Sequence, residues 1–289
     1  MSRSPIRIVA LTSLMLAVAV AAHAHQYWLA ASDYAPAPGQ VVEIRASAGM
    51  SFRGEAKPWS PERCVGFTWR GSRSVPLAPG AVEGDVVWAR VKFSEAGGAW
   101  VEYRSNFASI ELPAAEFDEY LREEGLDDPL AARRKLARDL PGREHYRRCC
   151  KAWLAGPDAH RAMEPLGQPL ELVPLSPPGA ARLDVRVLWQ GLPLPRALVQ
   201  TWQQPWGSDG RTRALIERDS VAVVQAARTD ERGQVSLDTR EPGEWLVSVV
   251  HMQPSEPSAL ELPAADWEST WASLTFARRA PDARARSPR

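Results

Sequence analysis

Histidine is scarce in this sequence, five in 289 residues, and two of the five stand where a metal ion could be held. His25 follows Ala22-His23-Ala24, the small-x-small pattern at which signal peptidase cuts. Ahead of it lie Arg3 and Arg7 and an apolar run from Ile8 to Ala22, shorter than a bilayer span requires. Cleavage after Ala24 makes His25 the first residue of the mature chain. Its α-amine, with an ordinary pKa of about 8, and its imidazole, at about 6.5, then close a chelate on one ion. A cut after Ala22 instead leaves His23-Ala24-His25, whose third-position histidine is also a copper- or nickel-binding arrangement.

The second candidate is His251. It ends the strongest strand pattern of the chain, in Val249-Val250-His251-Met252, where an imidazole either faces a ligand or completes a core. His25 and His251 are the expected metal ligands, with Met252 and Glu268 as outside candidates. His145 and His160 lie in polar, arginine-rich surroundings and read as solvated. Amine and imidazole nitrogens suit Ni²⁺, Co²⁺ and Cu²⁺, and copper binds tightest to nearly any such site, so ligand type alone selects no metal.

Other chemistry is poorly represented. The sequence contains no Walker loop, dinucleotide-binding glycine motif, HExxH helix or GxSxG elbow. Ser208, in Gly207-Ser208-Asp209-Gly210, belongs to a loop, and no carboxylate spacing marks an acid–base pair. The 35 basic and 35 acidic residues balance, which removes the electrostatic footprint of nucleic-acid binding. Cys64, Cys149 and Cys150 include no CxxC pair. In an oxidising compartment an odd count reads as one disulfide, Cys64 with Cys149 or Cys150, plus a spare thiol, or as three buried free thiols.

The elements that must position these residues are mostly strands. Trp88–Phe93, Val101–Arg104 and Leu183–Trp189 alternate apolar with polar or charged residues, and Trp245–Val250 is a buried strand. With 25 prolines and 19 glycines spread throughout, the pattern predicts an all-β sandwich architecture. Residues 114–154 break the period, with Phe117, Tyr120 and Leu121 at helical spacing and Pro129 where a second helix can begin. The division expected is a signal peptide at 1–24, a first sandwich at 25–175 carrying a charged helical insertion at about 114–154, a second at 181–277, and a disordered tail at 278–289. Leu175–Ala180 is the linker between them. Trp28, Trp88, Trp100, Trp189, Trp245 and Trp271 read as core. Trp59, Trp202 and Trp206, near prolines and glycines, read as candidates for exposure. No apolar run after the signal is long enough for a membrane span.

Several blocks, in order, resemble one family. The start, Ala22–Gln40, holds His25, Tyr27, Trp28, Leu29 and Asp33 in the His-x-[FY]-W-[LI] pattern of NikM-like periplasmic proteins of nickel and cobalt uptake, long described as a domain of unknown function. Phe117, Tyr120-Leu121, Glu124-Gly125-Leu126, Arg143-Glu144, Tyr146, Lys151 and Leu166–Pro174 match its middle. Gly191–Leu194, Thr229-Asp230, Gly233–Val235, Pro242–Trp245, His251-Met252 and Trp267–Phe276 match its end. The second half also resembles transthyretin-like or carboxypeptidase-regulatory sandwiches, with Arg196 where such modules often carry a glycine. The resemblance implies two Ig-like or transthyretin-like β-sandwich domains and an exported, non-enzymatic protein that captures Ni²⁺ or Co²⁺ for a membrane metal transporter. Two other readings compete: a copper-dependent oxidative enzyme built on the N-terminal histidine, and a metal-free carbohydrate-binding or adhesion sandwich.

Overall fold

The computed structural model describes residues 26–135, 140–205, 224–256 and 262–279. The first strands are β1 (Gln26–Ala31), β2 (Val41–Met50), β3 (Arg53–Lys57) and β4 (Cys64–Arg70). Next come β5 (Ser74–Pro76), β6 (Ala89–Lys92), β7 (Ala99–Ser105) and β8 (Ala108–Leu112). Two helices, α1 (Ala114–Glu123) and α2 (Asp127–Arg133), precede the long strand β9 (Gly142–Leu154). The second half holds β10 (Leu170–Pro174), β11 (Arg182–Trp189), β12 (Leu192–Pro193) and β13 (Leu198–Gln204). It closes with β14 (Gln225–Arg228), β15 (Gln234–Asp238), β16 (Gly243–Pro254) and β17 (Trp267–Arg278).

Most of these strands build one nine-stranded sheet, β14-β13-β16-β17-β9-β7-β4-β5, with β8 also paired to β9. Its joins are antiparallel except β17–β9, which is parallel and ties the two halves of the chain together. A sheet of β1, β2, β3 and β6 covers one face, and a sheet of β10, β11, β12 and β15 covers the other. The result is the all-β, two-sandwich class expected from the alternation, with the two sandwiches sharing a central sheet.

Strand alternation sorts the cores. Trp245, Val247 and Val249 of β16 pack with Leu183, Val185 and Val187 of β11. On the opposite face Leu246 meets Trp28, Phe52 and Trp202, while Val250 and Met252 meet the helices. The three cysteines are free: Cys149 and Cys150, adjacent on β9, point into different cores. Among the described residues no helix is long and apolar enough to cross a membrane.

Four expectations need correction. The helical insertion ends at Arg133, because 142–154 is strand β9; its CCKAWL end is buried on both faces, which hides the period-two signal. Gly142 opens that strand because a Cβ there would fall 2.0 Å from the Phe117 ring of α1. The stretch 175–180 is the turn of the β10–β11 hairpin, so a boundary at 175 separates two hydrogen-bonded strands. Trp59 and Trp202 are buried, Trp59 with its ring 5.0 Å from that of Trp88; Trp206 lies outside the described residues. β17 runs to Arg278, whose Nη1 donates to the Gly179 carbonyl at 2.7 Å, so residue 278 belongs to a strand and not to a tail; residues 280–289 lie outside the described residues.

Arg196 shows what the missing glycine costs. Its φ is 59°, in the left-handed region that L side chains avoid. We expect Arg196→Gly to raise folding stability by about 1 kcal/mol, since the lost pair with Asp128 is exposed. Urea denaturation of the two proteins checks this, and an unchanged or lower midpoint would refute it.

Candidate functional site

β1 lies across the central sheet rather than at its edge. The Cys150 thiol donates to the Tyr27 carbonyl at 3.4 Å and the Thr275 hydroxyl to the Leu29 carbonyl at 2.7 Å. Gln26, the first described residue, sits opposite Gly49 of β2. From there Tyr27 stacks on Tyr103, ring centroids 6.1 Å apart, and leans on Trp88 at 6.4 Å. These three rings form one wall of a cavity of about 800 Å³ between the β2–β3 hairpin and strands β7, β9 and β17. That volume falls within the range of small-ligand sites, and it far exceeds what a bare ion fills. Burial raises the Tyr27 and Tyr103 phenol pKa values above their ordinary value, so both stay neutral donors.

The floor carries ionisable groups. Glu144 of β9 is buried and accepts hydrogen bonds from the Ser269 hydroxyl and, at 3.3 Å, from Tyr120. Burial pushes its carboxyl up to about 7, against the Ser269 contact and the Arg148 charge, which pull it down. Behind it Glu124, at the end of α1, is pushed up to about 8, by burial first and then by neighbouring carboxyls. Burial likewise holds the Tyr120 phenol well above its ordinary value. Arg148 leaves β9 on the same face, its guanidinium carbon 4.5 Å from the Trp271 ring centroid and 5.1 Å from that of Tyr146. Trp271 in turn stacks on Tyr120 at 5.7 Å with rings 10° apart. Arg148 is therefore clamped by aromatic rings, with its Nη1 buried and without a hydrogen-bond partner.

The histidines fall elsewhere. His25 lies outside the described residues. His251 leaves β16 on the face of Trp245, Val247 and Val249, its ring 4.5 Å from Trp189, whereas β1 lies on the opposite face. The structure does not bring His251 to the strand that follows His25, because the central sheet stands between them. His251 instead borders a separate cavity of about 230 Å³ with Asp127, Asp128, Arg196 and Arg228, and burial lowers its pKa. Met252, one residue on, is buried under the helices. His145, expected to be solvated, is buried with Nε2 2.7 Å from the Pro263 carbonyl oxygen, because β9 carries it between β8 and β17. His160 is exposed beside Asp158, as expected. No three His, Cys, Asp or Glu side chains converge as a metal site among the described residues.

The sequence marks none of Glu144, Glu124, Tyr120 and Arg148 as a site residue: Tyr120 reads as the buried stripe of a helix, and the two glutamates enter only through the family resemblance. Arg148 stands in a run of charge, Arg147-Arg148, that reads as solvent-facing, and only its strand position aims it inward. The available signal was Glu144-x-Tyr146-x-Arg148, one face of a strand once β9 is recognised as such.

A family model described as Domain of unknown function (DUF4198) matches residues 22–253, most of the chain. The chain belongs to the DUF4198 family. Its match covers β1, β9 and the cavity floor except for the β17 residues, Ser269 and Trp271. No curated protein matches this DUF4198 chain. Among solved structures the D0-D1 domain of intimin matches at 10% identity and TM-score 0.19, covering 86% of this chain and 96% of that one.

Proposed function

We propose that this DUF4198 protein is exported to the periplasm and, without catalysing a reaction, captures Ni²⁺ or Co²⁺ for uptake by a membrane transporter. The observation that carries the reading is the course of β1, which places Tyr27 in the cavity wall and Gln26 opposite Gly49, a residue that lines the cavity. His25 is the residue that precedes Gln26 in the sequence. After cleavage at Ala24 the amine and imidazole of His25 form the chelate at that rim, and the cavity beneath supplies shelter from solvent. His251 is not part of this site, since the sheet separates it from β1. The resemblance of His25–Asp33 to NikM-like proteins supports nickel or cobalt as cargo, with Cu²⁺ able to compete.

Calorimetric titration with NiCl₂ tests the reading on four proteins: the processed chain, the same chain with a Gly-Ser-Gly-Ser extension that moves His25 to the fifth position, His25→Ala and His251→Ala. We expect the extension and His25→Ala to weaken binding at least tenfold and His251→Ala to bind like the processed chain. Equal binding by all four, or loss only in His251→Ala, would overturn it. Ascorbate-driven oxygen consumption by the copper-loaded protein would favour the oxidative-enzyme reading instead.

A further inference from the structure

We infer that the cavity under β1 binds a small organic di- or tricarboxylate through Arg148, and that a metal ion entering it does so as the complex of such an acid. The carboxylate part of this inference does not need the His25 chelate.

The argument starts from a donor without an acceptor. Arg148 Nη1 is shielded from solvent, makes no hydrogen bond, and the guanidinium forms no ion pair among the described residues. Buried donors are almost always satisfied, and a guanidinium more so, because an unpaired one loses its hydration with nothing in return. The neighbouring acids do not supply the partner. Among the described residues neither Glu124 nor Glu144 comes within ion-pair distance of Arg148, and Glu144 is engaged by Ser269 and Tyr120, although the Arg148 charge lowers the pKa of both acids. Stacking on Trp271 and Tyr146 keeps the planar fork in place, and that fork matches a carboxylate in two parallel hydrogen bonds.

Charge and shape then define the rest of the ligand. Arg53, Lys57 and Arg63 also line the cavity, against Glu55 as the acid outside the floor. A bare divalent cation meets repulsion there, whereas an anion with more than one carboxylate meets attraction. Tyr27, Trp88 and Tyr103 offer an apolar wall that inorganic phosphate would not use, and the volume is many times larger than a phosphate needs. An anionic acid with a carbon body satisfies both, and a carboxylate-chelated metal ion arrives with its charge already neutralised.

The test is metal-free calorimetric titration with citrate, with succinate and with inorganic phosphate. It uses the processed chain, its Gly-Ser-Gly-Ser-extended form, Arg148→Gln and Arg148→Lys, each checked for folding by circular dichroism. We expect at least one of the two organic acids to bind the processed and extended chains alike. Arg148→Gln should weaken that binding tenfold or more, and Arg148→Lys, which keeps the charge and the fold, should fall between. Absence of citrate and succinate binding, binding unchanged in both Arg148 variants, or phosphate binding as tightly as either acid would overturn the inference. Carboxylate binding that stays intact in the extended chain, beside the loss of its nickel binding in the NiCl₂ titration, would support Arg148 as the carboxylate site independently of the chelate at His25.

Discussion

Glu171→Ala is expected to destabilise the protein by about 3–5 kcal/mol, the cost of leaving a buried charge without its partner. Lys151 and Glu171 are each about 1% exposed, with Nζ 2.9 Å from Oε1. Burial alone would raise the Glu171 carboxyl, but the Lys151 charge and the backbone N–H groups of Leu166 and Gly167 outweigh it and hold the group below the usual carboxylate range. The ammonium also lies 4.6 Å from the Trp100 ring centroid. Glu171 therefore ties the β9 strand to the loop before β10, and removing it strands both the ammonium and those amides. Lys151→Met should cost less, because an apolar chain of similar length fills the site and Glu171 keeps its amide donors. Urea denaturation at neutral pH checks both. Equal midpoints for wild type and Glu171→Ala would show that the pair contributes nothing.

The second large effect is on pH. Glu124 and Glu144 titrate at about 8 and about 7 in the folded protein, against 4.5 as the ordinary value. The folded state holds these protons more tightly than the unfolded chain does. Their contribution to stability is therefore complete below about pH 4.5 and is lost as pH rises through 7 and 8. At 1.36 kcal/mol per pKa unit, Glu124 alone accounts for on the order of 4 kcal/mol between pH 5 and pH 9. Glu124→Gln keeps the shape and cannot ionise, so its stability should fall less over that range and should exceed that of wild type at pH 9. Denaturation midpoints at pH 5, 7 and 9 decide the matter. Parallel profiles for the two proteins would mean that Glu124 is solvated and ordinary. Glu144→Gln provides a second, independent reading of the same floor.

Much of the fold was legible in local pattern. Leu183–Trp189 and Trp245–Val250 became β11 and β16 because alternating or continuous apolar residues with β-branched content have one way to bury themselves. Phe117, Tyr120 and Leu121 at helical spacing gave α1 its buried stripe. Arg196 betrayed its strained turn through a glycine expected and absent. His25, as the first residue after a cleavage pattern, is a property of the sequence and needs no fold to be recognised.

Long-range pairing decided the rest. β9 was unreadable because its residues face two cores and a cavity, which erases the period that marks a one-sided strand. The parallel join of β17 to β9 brings residues more than a hundred positions apart into register, and with it Trp271 under Arg148 and Ser269 beside Glu144. Nothing local encodes that meeting. The same sheet places His251 on one face and β1, the strand that follows His25 in the sequence, on the other. Residue types and cleavage chemistry are written along the chain, whereas which groups share a cavity depends on strand order and on which face each side chain takes.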